Sequence, residues 1–359
     1  MVTNSAMRFR FLFVLAALSA SLLLPARLAA DLVWSPSTGW RVEGGALAGL
    51  AVTEDRNALD LMNKARAAEE AGHQRTALGL YQKVAKKFPN SIYAAESLYR
   101  TGHIRQQRRE YFKAFDAYQQ VVTRYPNTEK FSQVVGEQYR IASQLLEGKR
   151  NYMFGLFPGF TNSEKSLEYF EQIVGNAPYS DYAPLSLMNV ARGQQKLGNS
   201  EEAIDALDRM INSYPRNVLT PDAYLKLAQT HGSLVEGPAY DQASTKEAIT
   251  YYEDFMILFP GDPGVGTAEK GLGDMRKILA ESKMVIADYY FSKRRNYKAA
   301  KVFYNEAITV YPNSPVAAKA AAQLAEVEAK LAGQAPGAVA PAKQAPGEKP
   351  KKKKRFFLF

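Results

Sequence analysis

The sequence has no cysteine among its 359 residues, and only three histidines and two tryptophans. Without cysteine there is no disulfide bond, no thiolate zinc site, no iron–sulfur cluster and no cysteine nucleophile. We likewise expect no lipid attached to an N-terminal cysteine. The composition is otherwise ordinary: 46 % of residues are hydrophobic, which predicts a folded chain with a core.

Catalytic and metal-binding motifs are also missing. His73, His103 and His231 have no metal-ligating neighbour three or four residues further on, and no HExxH motif occurs. There is no G-x-S-x-G nucleophile motif and no phosphate-binding GxxxxGK[ST] loop. We therefore expect a protein that is not an enzyme and that uses no cofactor and no metal.

Residues 1–30 contain no acidic residue. Arg8 and Arg10 precede an apolar run from Phe11 to Leu24, and small residues follow up to Ala30. This order is typical of a secretory signal peptide. The apolar run is short for a membrane span of about 20 residues, so an uncleaved anchor is the less favoured alternative. Export predicts a periplasmic location and makes nucleic-acid partners improbable.

The formal net charge of +10 is concentrated at the two ends of the chain. Residues 31–332 are almost neutral, with 36 basic and 35 acidic side chains. Residues 333–359 carry seven basic residues and one acidic residue. A general attraction to anions is therefore expected only at the ends.

One pattern recurs six times in the body of the chain. A small residue is followed four positions later by a large one, and a proline comes eight positions after that. The pattern matches the second helix of a tetratricopeptide repeat, and its copies are Ala77-Tyr81-Pro89, Ala114-Tyr118-Pro126, Ser166-Phe170-Pro178, Ala203-Leu207-Pro215, Ala248-Tyr252-Pro260 and Ala300-Tyr304-Pro312. Small and large positions four apart share a helix face, and proline ends the helix. We predict an all-α tetratricopeptide-repeat superhelix of about six helix pairs plus a capping helix.

We divide the chain into four parts. These are a signal peptide (1–30), an N-terminal extension with a predicted hairpin (31–54), the repeat domain (55–332) and a disordered linker with a basic-aromatic C-terminus (333–359). Both tryptophans lie in the extension, either as a docking flap or as two rings laid on the first repeat. Unequal proline spacing predicts insertions, one of them at 148–163. Its aromatic side chains are expected to pack over a neighbouring helix; a functional loop is the alternative.

The C-terminus joins a basic run to four apolar residues. Such a segment could hold an anionic membrane surface, at about 1 kcal/mol for each basic residue. The predicted membrane-contact residues are Lys351, Lys352, Lys353, Lys354, Arg355, Phe356, Phe357 and Phe359.

The chain resembles the BamD-like (YfiO-like) outer-membrane assembly lipoproteins. The resemblance covers roughly residues 55–332 and is clearest in KILAESKMVIADYYFSKRRNYKAAKVFYNEAITVYPNSPVAAKAAAQL at 277–324. It implies a helical scaffold at the outer membrane that binds the β-barrel insertase or its substrates. Members of that family are anchored through a lipidated cysteine, whereas this sequence has no cysteine. The same segments also resemble periplasmic coordinators of envelope constriction and cell-wall synthesis (CpoB/YbgF-like), the alternative function.

The predicted mechanism is binding of partner proteins in a concave groove lined by the first helix of each repeat. Projecting the repeat onto the first, second and fourth copies gives the groove residues, namely Met62, Arg66, Glu69, Tyr99, His103, Gln106, Met188, Arg192 and Gln195. Their mixed aromatic, methionine and polar character suits an extended peptide or a partner loop better than a small metabolite.

Overall fold

The structure is a computed structural model that describes residues 31–35, 37–43 and 53–333. The predicted signal peptide and the predicted membrane-contact tail lie outside these residues. The described residues divide into two compact units, the first ending at Thr220 and the second beginning at Pro221.

The first unit begins with two strands, β1 (Asp31–Ser35) and β2 (Gly39–Glu43), which pair antiparallel with Trp34 opposite Trp40. Gly39 has a φ of +72°, which favours glycine at this turn. Eight helices follow, in four pairs: α1 (Thr53–Glu70) with α2 (Gln74–Lys87), α3 (Tyr93–Gln107) with α4 (Tyr111–Arg124), α5 (Phe131–Leu146) with α6 (Ser163–Asn176), and α7 (Tyr182–Leu197) with α8 (Ser200–Ser213). Between α5 and α6 lies a short hairpin of β3 (Tyr152–Met153) and β4 (Phe157–Pro158).

The second unit is made by two further pairs and one last helix. The pairs are α9 (Thr220–Ser233) with α10 (Ala243–Leu258) and α11 (Val265–Asp288) with α12 (Tyr297–Val310), and α13 (Pro315–Ala332) follows. One π-helical turn, Tyr289–Lys293, extends α11. Six helix pairs and a capping helix in the described residues confirm the predicted all-α tetratricopeptide-repeat fold.

The recurring small and large residues form the core of every repeat. All twelve are buried, and only Tyr252 exposes as much as 6 % of its surface. The residue before each proline leaves the helical region, with φ between −129° and −138° and ψ between 52° and 75°. Proline disfavours helix in the residue before it, so the second helices end where the sequence predicts.

In five of the pairs, the turn after the first helix has a residue in the left-handed region. It is glycine at Gly72, Gly148 and Gly198, but arginine at Arg109 (φ 58°) and Arg295 (φ 50°). The capping helix begins with a side-chain cap, in which the Ser314 Oγ accepts a hydrogen bond from the Ala317 N–H at 3.1 Å.

Candidate functional site

The hairpin of β1 and β2 lies on the first repeat. Trp40 is 4 % exposed and shares an apolar cluster with Ala58 and Met62 on α1. Its backbone N–H donates to the Asn63 Oδ1 at 2.8 Å, and the Arg66 guanidinium lies 4.3 Å from the centre of the Trp34 ring. The two rings therefore cover part of the face that the sequence analysis assigned to a groove.

Met62 is fully buried, so its predicted exposure in the groove is wrong. The projection treats the first helix of every repeat as exposed to solvent, whereas the hairpin of β1 and β2 covers this part of α1. Arg66 and Glu69, one turn further along α1, keep part of their surface.

Five charged side chains continue the surface across α1, α3 and the residue before α5. We call Arg66, Glu69, Glu96, Arg100 and Lys130 the first-helix face. Arg100 pairs with Glu96 at 2.8 Å and with Glu69 at 3.8 Å, and Lys130 pairs with Glu96 at 2.8 Å. Two cations and two carboxylates thus form three ion pairs that join three repeats.

The surroundings shift the pKa of Arg100 on this face and that of Tyr81 on α2, which contacts the face. Burial alone would lower the pKa of Arg100, but the carboxylates of Glu96 and Glu69 outweigh it and raise that pKa above its ordinary value. Burial also raises the pKa of Tyr81, whose hydroxyl donates to the Glu69 Oε2 at 2.8 Å. Arg100 is therefore a fixed cation, and Tyr81 stays neutral.

Tyr99 is 6 % exposed, so it offers almost no surface to a partner, contrary to the prediction. The Gln133 amide donates to its hydroxyl at 2.7 Å, and the Lys130 ammonium lies 4.5 Å from the centre of its ring. His103 is half-buried and stacks on the ring with 6.2 Å between centres. The third repeat covers Tyr99, because its side chains reach back over α3.

Gln106 is half-buried and makes two hydrogen bonds. Its side-chain Nε2 donates to the Glu137 Oε2 at 2.8 Å, and its side-chain Oε1 accepts from the Tyr118 hydroxyl at 2.8 Å. Glu137 also pairs with Arg140 at 3.4 Å. Gln106 is therefore engaged with the neighbouring helices.

The predicted residues of the fourth repeat lie on α7. Arg192 and Gln195 are exposed there, and Met188 is half-buried. The neighbouring Asn189 donates to the Tyr139 hydroxyl at 2.9 Å and joins α7 to α5. Of the nine predicted residues, Arg192 and Gln195 are the most accessible.

Sequence reasoning missed the contribution of the third repeat. Gln133, Glu137 and Arg140 follow Tyr99, His103 and Gln106 by 34 positions, the length of one repeat unit. The projection covers the first, second and fourth repeats and not the third. The 34-residue period, counted from the residues of the second repeat, identifies these positions.

The second unit contains a cavity of about 770 Å³ between α11 and α13. Its apolar wall includes Met284, Val285 and Val316. Its polar rim carries both signs of charge, from Glu269, Lys270, Asp274, Lys277, Glu281 and Lys319. An apolar floor with a rim of both charges suits a peptide, which offers backbone groups and side chains of either sign.

Within residues 31–35, 37–43 and 53–333, no group of three or more potential metal ligands comes together. Among the helices in that part of the chain, none is long and apolar enough to cross a membrane.

Comparison with known proteins identifies two kinds of similarity. Residues 160–338 match the YfiO family, described as outer membrane lipoprotein, and residues 61–91 and 96–128 match the tetratricopeptide repeat. A solved tetratricopeptide repeat protein from Parabacteroides merdae is 13 % identical with a TM-score of 0.31, covering 76 % of this chain and 99 % of that one.

Two curated relatives are both named outer membrane protein assembly factor BamD. The protein of Xylella fastidiosa (strain Temecula1) is 23 % identical over 172 residues, and that of Rickettsia prowazekii is 26 % identical over 163 residues. Each alignment covers 45 % of this chain, and it spans 58 % and 64 % of the length of the relative, respectively. The predicted resemblance is confirmed: the chain is a tetratricopeptide-repeat protein that is similar over residues 160–338 to the YfiO (BamD-like) outer-membrane lipoprotein family.

Proposed function

We propose that this protein is a cell-envelope scaffold that binds other proteins during the assembly of outer-membrane β-barrel proteins. The observation that carries the proposal is the match of residues 160–338 to the YfiO family, together with relatives named as BamD assembly factors. The partners are the β-barrel insertase or its substrates. The protein acts by binding, without catalysis.

Two surfaces support a binding role. The exposed Arg192 and Gln195 on α7 belong to the first unit, and the cavity between α11 and α13 belongs to the second. The first-helix face is already paired within itself, so a partner there must replace existing ion pairs. We therefore place the main contacts at α7 and at the cavity, each with an extended segment of a partner as its ligand.

A coordinator of envelope constriction and cell-wall synthesis would have the same fold. The curated relatives are named as assembly factors, so they support the first proposal over this one. Crosslinking in cells separates the two. A photo-crosslinking residue at Arg192 should trap barrel-assembly components, whereas the same residue at Lys83, exposed on α2, is the control for background capture. Adducts at Arg192 with cell-wall enzymes alone would refute the assembly role.

The groove is tested by reversing one charge. Arg192→Glu should lower partner capture several-fold and leave thermal unfolding unchanged, because the side chain is exposed. Lys83→Glu is the matched control and should change neither quantity. Unchanged capture by Arg192→Glu would remove α7 from the binding surface. Tyr99 is unsuited to this test, since truncating a buried ring lowers stability.

We also propose a periplasmic location in contact with the outer membrane. The basic-aromatic segment 351–359 supplies part of that contact. Liposome co-sedimentation of the chain with and without residues 351–359 tests it. Equal binding of the two forms would refute a role for this segment.

A further inference from the structure

Residues 148–163 form a hairpin that projects between α5 and α6, and we call it the insertion hairpin. Met153 pairs with Phe157, and the Leu156 N–H donates to the Met153 carbonyl at 3.1 Å to close the turn. The turn residues Phe154 and Gly155 both have positive φ, 54° and 69°. A bulky residue in the left-handed region raises the free energy of the folded state. A phenylalanine at this tip therefore points to a role in function, since it does not help folding.

Three hydrogen bonds, each with at least one backbone partner, hold the insertion hairpin on the turn between α3 and α4. The Tyr152 N–H donates to the Arg109 carbonyl at 2.8 Å, and the Phe112 N–H donates to the Asn151 Oδ1 at 3.1 Å. The Arg108 guanidinium donates to the backbone carbonyl of Phe154 at 2.6 Å. These contacts fix the position of the hairpin without burying its apolar side chains.

More than half of the surface of each large apolar side chain in the insertion hairpin, apart from Tyr152, is exposed to solvent. The exposed fractions lie between 54 % and 95 % for Met153, Phe154, Leu156, Phe157 and Phe160. The expectation that these aromatic rings pack over a neighbouring helix is therefore wrong. The hydrogen bonds to the turn between α3 and α4 fix the backbone of the hairpin. Five apolar side chains within eight residues therefore remain available to an apolar environment.

Within the insertion hairpin the charged side chains are of one sign, and the exposed Glu147 and Glu164 lie directly outside it. Between Gly148 and Ser163 there are two basic residues, the exposed Lys149 and Arg150, and no acidic residue. The ammonium of Lys113 lies 5.2 Å from the centre of the Phe154 ring. The carboxylate beneath the hairpin, Glu110, is buried and paired with an arginine at 2.8 Å, so it does not cancel the exposed positive charge.

We propose that the insertion hairpin is a membrane-contact site that places Phe154, Phe157 and Phe160 in the surface of an anionic lipid bilayer. Aromatic and aliphatic side chains partition into the boundary between headgroups and acyl chains, while Lys149, Arg150 and their neighbours meet anionic headgroups. A fixed hairpin loses little conformational freedom on binding. The site requires neither the proposed protein partner nor the C-terminal tail.

The test is vesicle co-sedimentation of the full chain with two kinds of vesicle. One contains phosphatidylglycerol and phosphatidylethanolamine, and the other contains phosphatidylcholine alone. The variant is Phe154→Ser, Phe157→Ser and Phe160→Ser combined, and it should lose about tenfold or more of its affinity for the anionic vesicles. Removal of already exposed side chains should leave the unfolding temperature unchanged, which shows that lost binding is not lost folding.

A matched control replaces three apolar residues that are equally exposed elsewhere. It combines Tyr179→Ser, Val218→Ser and Ile257→Ser, whose side chains are at least 75 % exposed. This control should bind the anionic vesicles as the unchanged protein does. Because the C-terminal segment is itself predicted to bind lipid, each protein is also measured without residues 351–359, where the effect of the hairpin substitutions should persist.

Three outcomes would overturn the proposal. Equal vesicle binding by the hairpin variant and the control, with or without the tail, would show that the hairpin does not touch lipid. If the unchanged protein bound phosphatidylcholine vesicles as well as the anionic vesicles, the basic residues of the hairpin would not recognise anionic headgroups. Sedimentation of the unchanged protein as a dimer, with a monomeric hairpin variant that retains vesicle binding, would assign these side chains to a contact between two copies.

Discussion

The closest test of the packing argument is the substitution of Gly102 by alanine. Gly102 lies inside α3, and a Cβ there would come within 2.5 Å of the Tyr118 Cε1. Ordinary carbon–carbon contacts are about 3.5–4.0 Å, so the ring would have to move by about 1 Å. Tyr118 is fully buried and its hydroxyl donates to Gln106 at 2.8 Å, so it cannot move without losing that hydrogen bond.

The expected change in the free energy of unfolding combines one stabilising and two destabilising contributions. Alanine is about 1 kcal/mol better than glycine inside a helix. Overpacking a buried site costs about 1–3 kcal/mol, and the lost hydrogen bond costs about 1 kcal/mol more. Gly102→Ala should therefore lower the free energy of unfolding by about 1–3 kcal/mol.

Gly79 is the matched control, because it lies inside α2 with nothing within 4 Å of its would-be Cβ. Gly79→Ala should raise the free energy of unfolding by up to about 1 kcal/mol. Urea unfolding followed by tryptophan fluorescence measures both variants, since Trp34 and Trp40 lie on the first repeat. The reasoning fails if Gly102→Ala is as stable as the unchanged protein, or if the two variants shift in the same direction.

Three further predictions concern the first repeats. Trp40→Ala should lower the free energy of unfolding by about 3 kcal/mol in urea, because it removes a buried ring from the first core; a smaller change would mean that the hairpin docks loosely. Arg100→Ala should cost about 1–3 kcal/mol since Glu96, 4 % exposed, loses one of its partners, whereas Lys64→Ala breaks an exposed pair and should cost under about 0.5 kcal/mol. Burial raises the pKa of Tyr81 in the folded state, so its contribution to stability is present below about pH 10 and is lost as the pH rises further; Tyr81→Phe should flatten the alkaline fall in stability measured by circular dichroism, and an unchanged slope would contradict this.

The second helices show how far local patterns reach. The small residue, the large residue and the proline of each copy act within one helix or between the two helices of one pair, as Ala77, Tyr81 and Pro89 do in the first. Such contacts join residues that are close in sequence, so a repeating pattern is sufficient to predict them.

The close approach of neighbouring repeats is not marked by a comparable recurring pattern. In α7 it occurs at the buried Gly193. A Cβ on Gly193 would collide with the Leu167 Cδ2 and come within 3.2 Å of the Leu146 Cδ1. These contacts lie between repeats, where the angle between helices decides which residue faces which.

The sequence by itself determined the helical pairs, the positions where the second helices end, the buried stripe of each pair and the capping helix. Each of these depends on interactions over a few turns of helix, which residue spacing encodes directly. Only the tertiary structure decided which side chains of the first helices remain accessible. Met62 is covered by a hairpin 22 positions earlier in the chain, and Tyr99 by Gln133, 34 positions later. Accessibility depends on every segment that packs over a residue, and no local pattern records those segments.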